Sequence, residues 1–197
     1  MGPFPHSAPQ AKISAENPAG TDGFEFVEFA HPEPEKLRAL FGRMGYALTG
    51  RHRSKDIELW QQGDITYILN NEPGSQARRF AEEHGPCAAA MGWRVVDAQH
   101  AYEHAVKSGA RPYDAKDKSL DLPAIEGIGG SLIYFTDQYG TKNPYDAEFE
   151  WLEAAKPDGV GFYYLDHLTH NVHKGNMDTW FSFYGGIFGF KQIRFFD

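Results

Sequence analysis

Apolar and polar positions along the chain follow two alternating rhythms, and the order in which they come repeats. Gly23 to Ala30 (GFEFVEFA) has the two-residue period of a strand. Strict alternation places Phe24, Phe26 and Ala30 on one face, and Val27 and Phe29 with Glu25 on the other. HPEPEK then opens a helix, with Pro34 tolerated in its first turn. Leu37, Leu40, Phe41 and Met44 follow at the spacing of a buried helical stripe, and Gly45 ends it. Three short strands come next, Tyr46 to Thr49, Ile57 to Gln61 and Ile65 to Leu69, with Gly63-Asp64 as the tight turn between the last two. The order is β-α-β-β-β.

A connector from Glu72 to Pro86 contains a polar helix over Ser75 to His84, and then the order returns. Ala88 to Val96 is a strand, Asp97 an N-cap, and Ala98, Ala101, Tyr102 and Ala105 a helical stripe closed by Gly109. Short strands are expected around Arg111 to Tyr113, Leu122 to Ile125 and Ser131 to Phe135, with Gly127 to Gly130 as a turn. Asp137 to Gly161 reads as a linker that Phe149, Trp151 and Leu152 pin to a neighbouring face. A third pass starts at Phe162. It has a strand carrying His167, His170 and His173, an aromatic helix from Met177 to Phe188 ended by Gly189, and a strand from Phe190 to Phe196. Only β-α-β of the unit is present there, so the aromatic stripe is expected to lack partners. The isolated chain is then expected to self-associate or to fold only in its first part, because exposed aromatic surface and an open strand edge both invite pairing. A supersecondary unit reused in this way indicates an α+β fold of repeated βαβββ modules with curved mixed sheets. The expected organisation is a loose tail over 1–20, a first domain of two modules over 21–140, a linker over 141–160 and the start of a second domain over 161–197.

Composition narrows the function. The formal net charge is −8, with no long basic run, which argues against a nucleic-acid partner. No apolar run approaches the ~20 residues that span a bilayer, and the first twenty residues lack the pattern of a secretory signal. Cys87 is the only cysteine, so no internal disulfide can form, which fits a reducing compartment. A cytoplasmic location with no membrane partner is the expectation.

Three histidines in seven residues suggest a metal, but a regular strand separates them. His167, Thr169, Asn171 and His173 share one face, and His170 lies on the other. At ~3.3 Å per residue, His167 and His173 are ~20 Å apart, too far to bind one ion. At most one of the three joins a site completed from elsewhere; the alternative is a set of surface or hydrogen-bonded strand histidines. Gly127 to Gly130 lacks the pattern of a dinucleotide loop, Cys87 has no activating base beside it, and Asp56 and Glu58 read as solvated charges on one strand face.

The segment YLDHLTHNVHKGNMDTWFSFYGGIFGFKQIRFFD resembles the start of the catalytic domain of bacterial 4-hydroxyphenylpyruvate dioxygenases, and GFEFVEFA, GPCAAAMGWRV and IGGSLIYFTD resemble their N-terminal domain. The resemblance implies the vicinal oxygen chelate fold. It implies a non-haem Fe(II)-dependent 2-oxo acid dioxygenase of tyrosine breakdown, which turns 4-hydroxyphenylpyruvate and O2 into homogentisate and CO2 and is a homo-oligomer at full length. His167 matches the family's first iron ligand and Thr169 a position near its pocket, while His170 and His173 match no ligand. The first two modules carry no matching histidine and are expected to be metal-free. The family's second histidine and its glutamate ligand have no counterpart in this sequence, so the chain is expected to be inactive alone. A hydroxymandelate synthase within the same family and a non-catalytic binding or assembly module are the alternatives.

Overall fold

The computed structural model describes residues 9–153 and 159–194. Eight strands form one mixed sheet, and its order follows from the two repeats. The first module contributes β1 (Thr21–Ala30), α1 (Pro34–Arg43), β2 (Ala47–His52), β3 (Ile57–Gln62) and β4 (Ile65–Asn70). After α2 (Gln76–His84), the second contributes β5 (Cys87–Val95), α3 (Ala98–Lys107), β6 (Ala124–Glu126) and β7 (Leu132–Thr136). In each module the first strand pairs in parallel with the last, β1 with β4 and β5 with β7. The two first strands then pair antiparallel at the centre of the sheet. Adding β8 (Phe149–Trp151) from the expected linker gives the order β6-β7-β5-β1-β4-β3-β2-β8.

Local chemistry sets most boundaries. Pro34 opens α1, where its missing N–H costs nothing. Ser75 caps α2 by accepting from the Arg78 N–H, and Asp97 caps α3 by accepting from the His100 N–H at 2.9 Å. Gly189 ends α4 (Met177–Phe188) in the left-handed conformation. Some expected elements are shorter. Arg111 to Tyr113 keeps only a single bridge, Pro112 to Ile125, and Leu40 in the expected α1 stripe is exposed while Phe41 is buried.

Register shifts against β5 re-aim β1. They fall between Thr21 and Phe24, between Phe24 and Phe26, where Glu25 is the extra residue, and between Glu28 and Phe29, where the extra residue is on β5. Phe24 therefore packs with Trp93 on the α3 side, while Glu25 and Phe26 both reach Tyr145 on the opposite side. Strict alternation had placed Phe24 with Phe26 and Glu25 with Val27; the extra residue reverses that. Glu58 also departs from its reading as a solvated charge. It is buried, ion-paired with Arg38 and Arg51, and accepts from the Trp60 indole.

The third pass differs most. Residues 162–173 form no strand, and neither do residues 190–194; Phe195 and Phe196 lie outside the described residues. A strand needs a partner for its backbone groups, and the outer edge of β2 is taken by β8 from the expected linker, not by the third pass. The helix α4 forms as expected, and its far end does find partners. Ile187 and Phe188 are buried in a cluster with Met91, Trp93 and Phe135. His104 on α3 donates from Nε2 to the Ile187 carbonyl at 3.0 Å. Met177 and Phe181, nearer the start of α4, stay exposed. In the linker Phe149 is fully buried, whereas Trp151 and Leu152 are about as exposed as surface residues.

Candidate functional site

Two clefts, each of about 820 Å³, flank the sheet. The first lies on the Glu25 side. Burying charges is costly unless they are paired and hydrogen-bonded, and here they are. Arg94 donates from Nε to Glu25 at 2.6 Å and from Nη1 to Asp64 at 3.0 Å. Tyr145 donates its hydroxyl to Glu25 at 3.1 Å, and Tyr139 lies under the guanidinium, 5.7 Å from ring centre to Cζ, and donates to Asp22. Burial pushes the Glu25 carboxyl up, and the charge and hydrogen bond of Arg94 offset this only in part. Burial would lower the Arg94 pKa, but Glu25 and Asp64 outweigh it and hold the guanidinium firmly charged. The bulge at Glu25 is what brings this carboxylate to Arg94, and the loop after β7 supplies both tyrosines.

A second buried carboxylate lies further along β1. Glu28 accepts from Asn70 Nδ2 at 2.7 Å and from Ser119 Oγ at 2.9 Å, and Ser119 in turn contacts the Tyr134 hydroxyl. Burial raises the Glu28 pKa, and these hydrogen bonds counter it incompletely. The folded state therefore holds this proton more tightly than the unfolded chain. The stability it contributes is full below the ordinary glutamate range and is lost as pH rises through the raised value. Glu28→Gln keeps both partners, since the Ser119 hydroxyl can rotate to accept from the new amide. Its stability relative to the parent chain should increase between about pH 5 and about pH 8 in urea titrations. A constant difference across that range would show that Glu28 is ionised at no cost.

The second cleft lies where the third pass meets α2 and β5. Thr169, His170, His173 and Trp180 face Phe80 and His84 across it. His170 stands edge-on to Tyr184, and desolvation lowers its pKa. His167 does not line the cleft. It is exposed, and its Nδ1 lies 2.7 Å from Asp166. The carboxylate accepts the Nδ1 proton, so Nε2 is the ring nitrogen not engaged by Asp166. The structure thus places Thr169 in a cleft and His167 on the surface, and does not join them. Among the described residues no group of three or more His, Cys, Asp or Glu side chains could hold a metal ion. The described residues therefore do not form an iron site.

Sequence reading missed the Arg94 cluster. Its signal was a charged residue inside an apolar strand, twice: Glu25 in GFEFVEFA and Arg94 in GWRVV. Two such charges on neighbouring strands of one sheet are candidates for each other.

The chain is 48% identical over 194 residues to a 4-hydroxyphenylpyruvate dioxygenase of Pseudomonas aeruginosa, covering 95% of this chain and 54% of that protein. It therefore spans about half the length of the curated relatives it matches. A solved xylose isomerase-like TIM barrel/4-hydroxyphenylpyruvate dioxygenase fusion protein superposes with a TM-score of 0.80 at 33% identity, over 93% of this chain and 28% of that one. A mutant 4-hydroxymandelate synthase from Streptomyces coelicolor superposes with a TM-score of 0.66 at 19% identity, over 85% of this chain and 52% of that one; at that identity it speaks for the fold alone. The duplicated modules and curved mixed sheet are the vicinal oxygen chelate fold. Residues 15–150 match the family described as "Hydroxyphenylpyruvate dioxygenase, HPPD, N-terminal", and the chain belongs to that dioxygenase family.

Proposed function

We propose that this chain supplies the first half of a 4-hydroxyphenylpyruvate dioxygenase, which converts 4-hydroxyphenylpyruvate and O2 to homogentisate and CO2 in tyrosine breakdown. The observation that carries this is the 48% identity to the Pseudomonas aeruginosa enzyme, sustained over 95% of the chain and so through the histidine segment. On this reading the complete enzyme is a cytoplasmic homo-oligomer acting on an aromatic 2-oxo acid. Fe(II) supplies the oxygen chemistry when bound, and His167 is the one ligand this chain offers. The contact with Asp166 supports that role, because a carboxylate on Nδ1 fixes the tautomer that binds through Nε2. Thr169 belongs to the substrate pocket. The sheet of the first two modules is a scaffold, with Arg94 satisfying the carboxylates that face its cleft. The other ligands belong to the part of the relatives that this chain does not span, so no metal-dependent step is assigned to the residues here.

The test has two arms. Purified 197-residue chain, given Fe(II), reductant, O2 and 4-hydroxyphenylpyruvate, should form no homogentisate. Joined after Gly189 to the remainder of the Pseudomonas aeruginosa enzyme, it should form homogentisate. In that chimera His167→Ala should abolish product and iron binding, and His173→Ala should leave most of both. Product from the chain alone, or equal loss of iron from the two variants, would overturn this assignment.

A further inference from the structure

The chain leaves the sheet and later returns past the β3–β4 turn, and the fit there is close. Gln62, the last residue of β3, is 1% exposed and uses every polar group of its side chain. Its Nε2 donates to the Met44 carbonyl at 2.8 Å, and its Oε1 accepts from the Val160 N–H at 2.6 Å and the Phe162 N–H at 3.3 Å. Two residues further on, the Asp64 N–H donates to the Tyr163 carbonyl at 3.0 Å. A primary amide suits this place, since no other neutral side chain offers two donors beside an oxygen with two lone pairs.

Three glycines in the left-handed region make the approach fit. A Cβ on Gly63 would come within 2.5 Å of Tyr163 Cα, and one on Gly45 within 3.0 Å of the Val160 backbone. A Cβ on Gly159 would fall on the Gln62 side chain itself. Glycine is the residue that combines positive φ with such contact. The turn is held from the other side as well, because the Asp64 carboxylate is bound by Arg94. The seam therefore continues the charged cluster of the first cleft out to the returning chain.

We propose that Gln62 and the Gly63-Asp64 turn form a clasp that binds residues 159–163 to the first sheet. The clasp fixes where the chain enters the His167 segment, four residues beyond Tyr163. With α4 held at its far end by α3 and Trp93, the segment is suspended between two anchors on the same sheet. The inference does not depend on the dioxygenase reading: the clasp is a property of this chain, with or without iron chemistry downstream.

Amide hydrogen exchange on the 197-residue chain tests it without any activity readout. In the parent chain the Val160, Phe162 and Asp64 amides should be protected. Gln62→Met removes both acceptor contacts and the Met44 bond, and should speed exchange at Val160 and Phe162 by about tenfold or more, while amides in β1 and β5 keep their protection. If Gln62→Met does not fold, Gly159→Ala decides, because it leaves every strand unchanged and displaces the Gln62 side chain from its seat. Gly140→Ala is the control: its φ is also positive, at +71°, but a Cβ there meets nothing within 4 Å, so it should leave these amides alone. Unprotected Val160 and Phe162 amides in the parent chain would overturn the clasp. So would rates that stay unchanged in the folded Gln62→Met chain, or in Gly159→Ala where that variant decides.

Discussion

Replacing Arg94 with methionine should cost the fold about 3–5 kcal/mol, the range seen when one partner of a buried ion pair is removed. The side chain is 9% exposed and Glu25 7%, so water cannot take over the lost contacts. Without Arg94 the Glu25 carboxyl has only Tyr145 as a donor, in a place where burial already raises its pKa. The loss should therefore grow with pH. Below the ordinary glutamate range Glu25 is protonated in both states and the deficit is smallest. As pH rises the unfolded chain gives up the proton and the folded one resists. Adding Glu25→Gln to the methionine variant should recover a large part of the loss, since an amide is cheaper to bury than an unpaired carboxylate. Asp64 is more exposed and can turn to solvent. Urea titrations of the parent, single and double variants give the comparison directly. A single variant that loses less than about 1 kcal/mol would mean the pair only breaks even against its desolvation.

Phe188→Ala should have an effect of similar size but a different reach. Phe188 is 1% exposed, its ring 4.4 Å from Trp93 and 6.2 Å from Phe135, and truncating a buried phenylalanine typically costs about 3–5 kcal/mol. Because α4 joins the rest through this end, the loss should appear first as undocking of the helix. Exchange of α4 amides and exposure of Trp93, read by its fluorescence, should change at conditions where β1 and β5 remain intact. If the sheet and α4 instead unfold together in one transition, the helix is part of a single cooperative unit and not an attached arm.

How far the site could be read from sequence varied with the range of the interaction. The stretches GFEFVEFA and CAAAMGWRV have the apolar content of strands, and Ser75, Asp97, Pro34 and Gly189 mark helix ends by chemistry confined to a few residues. Those features survive in the structure because propensity, capping and turn geometry act locally. Glu25 shows where this stops. Counting alternate residues put it beside Val27, and a one-residue bulge, set by pairing with β5, put it beside Phe26 and against Arg94. Bulges depend on the partner strand, and the partner lies some seventy residues away, so no local pattern reports them.

The histidine segment shows the same limit more sharply. Its residues alternate like a strand, but a strand exists only where another offers hydrogen bonds. Residues 162–173 pair with no strand, Thr169 and His170 reach a cleft that alternation did not place, and His167 is exposed beside Asp166.

By itself the sequence determined the order of the main elements in the first two modules, the caps at Ser75 and Asp97, the duplication of the module and, through resemblance along the chain, the family. All of these depend on residues close together in the chain or on direct resemblance. Only the tertiary structure decided that β1 and β5 meet at the centre of one sheet, that Arg94 is shared between Glu25 and Asp64, that β8 caps an edge, and that Gln62 holds residues nearly a hundred positions later. Those contacts arise because burying a charge, an amide or an aromatic ring is stable only when a distant segment completes it, and completion is a property of packing that no single stretch of chain contains.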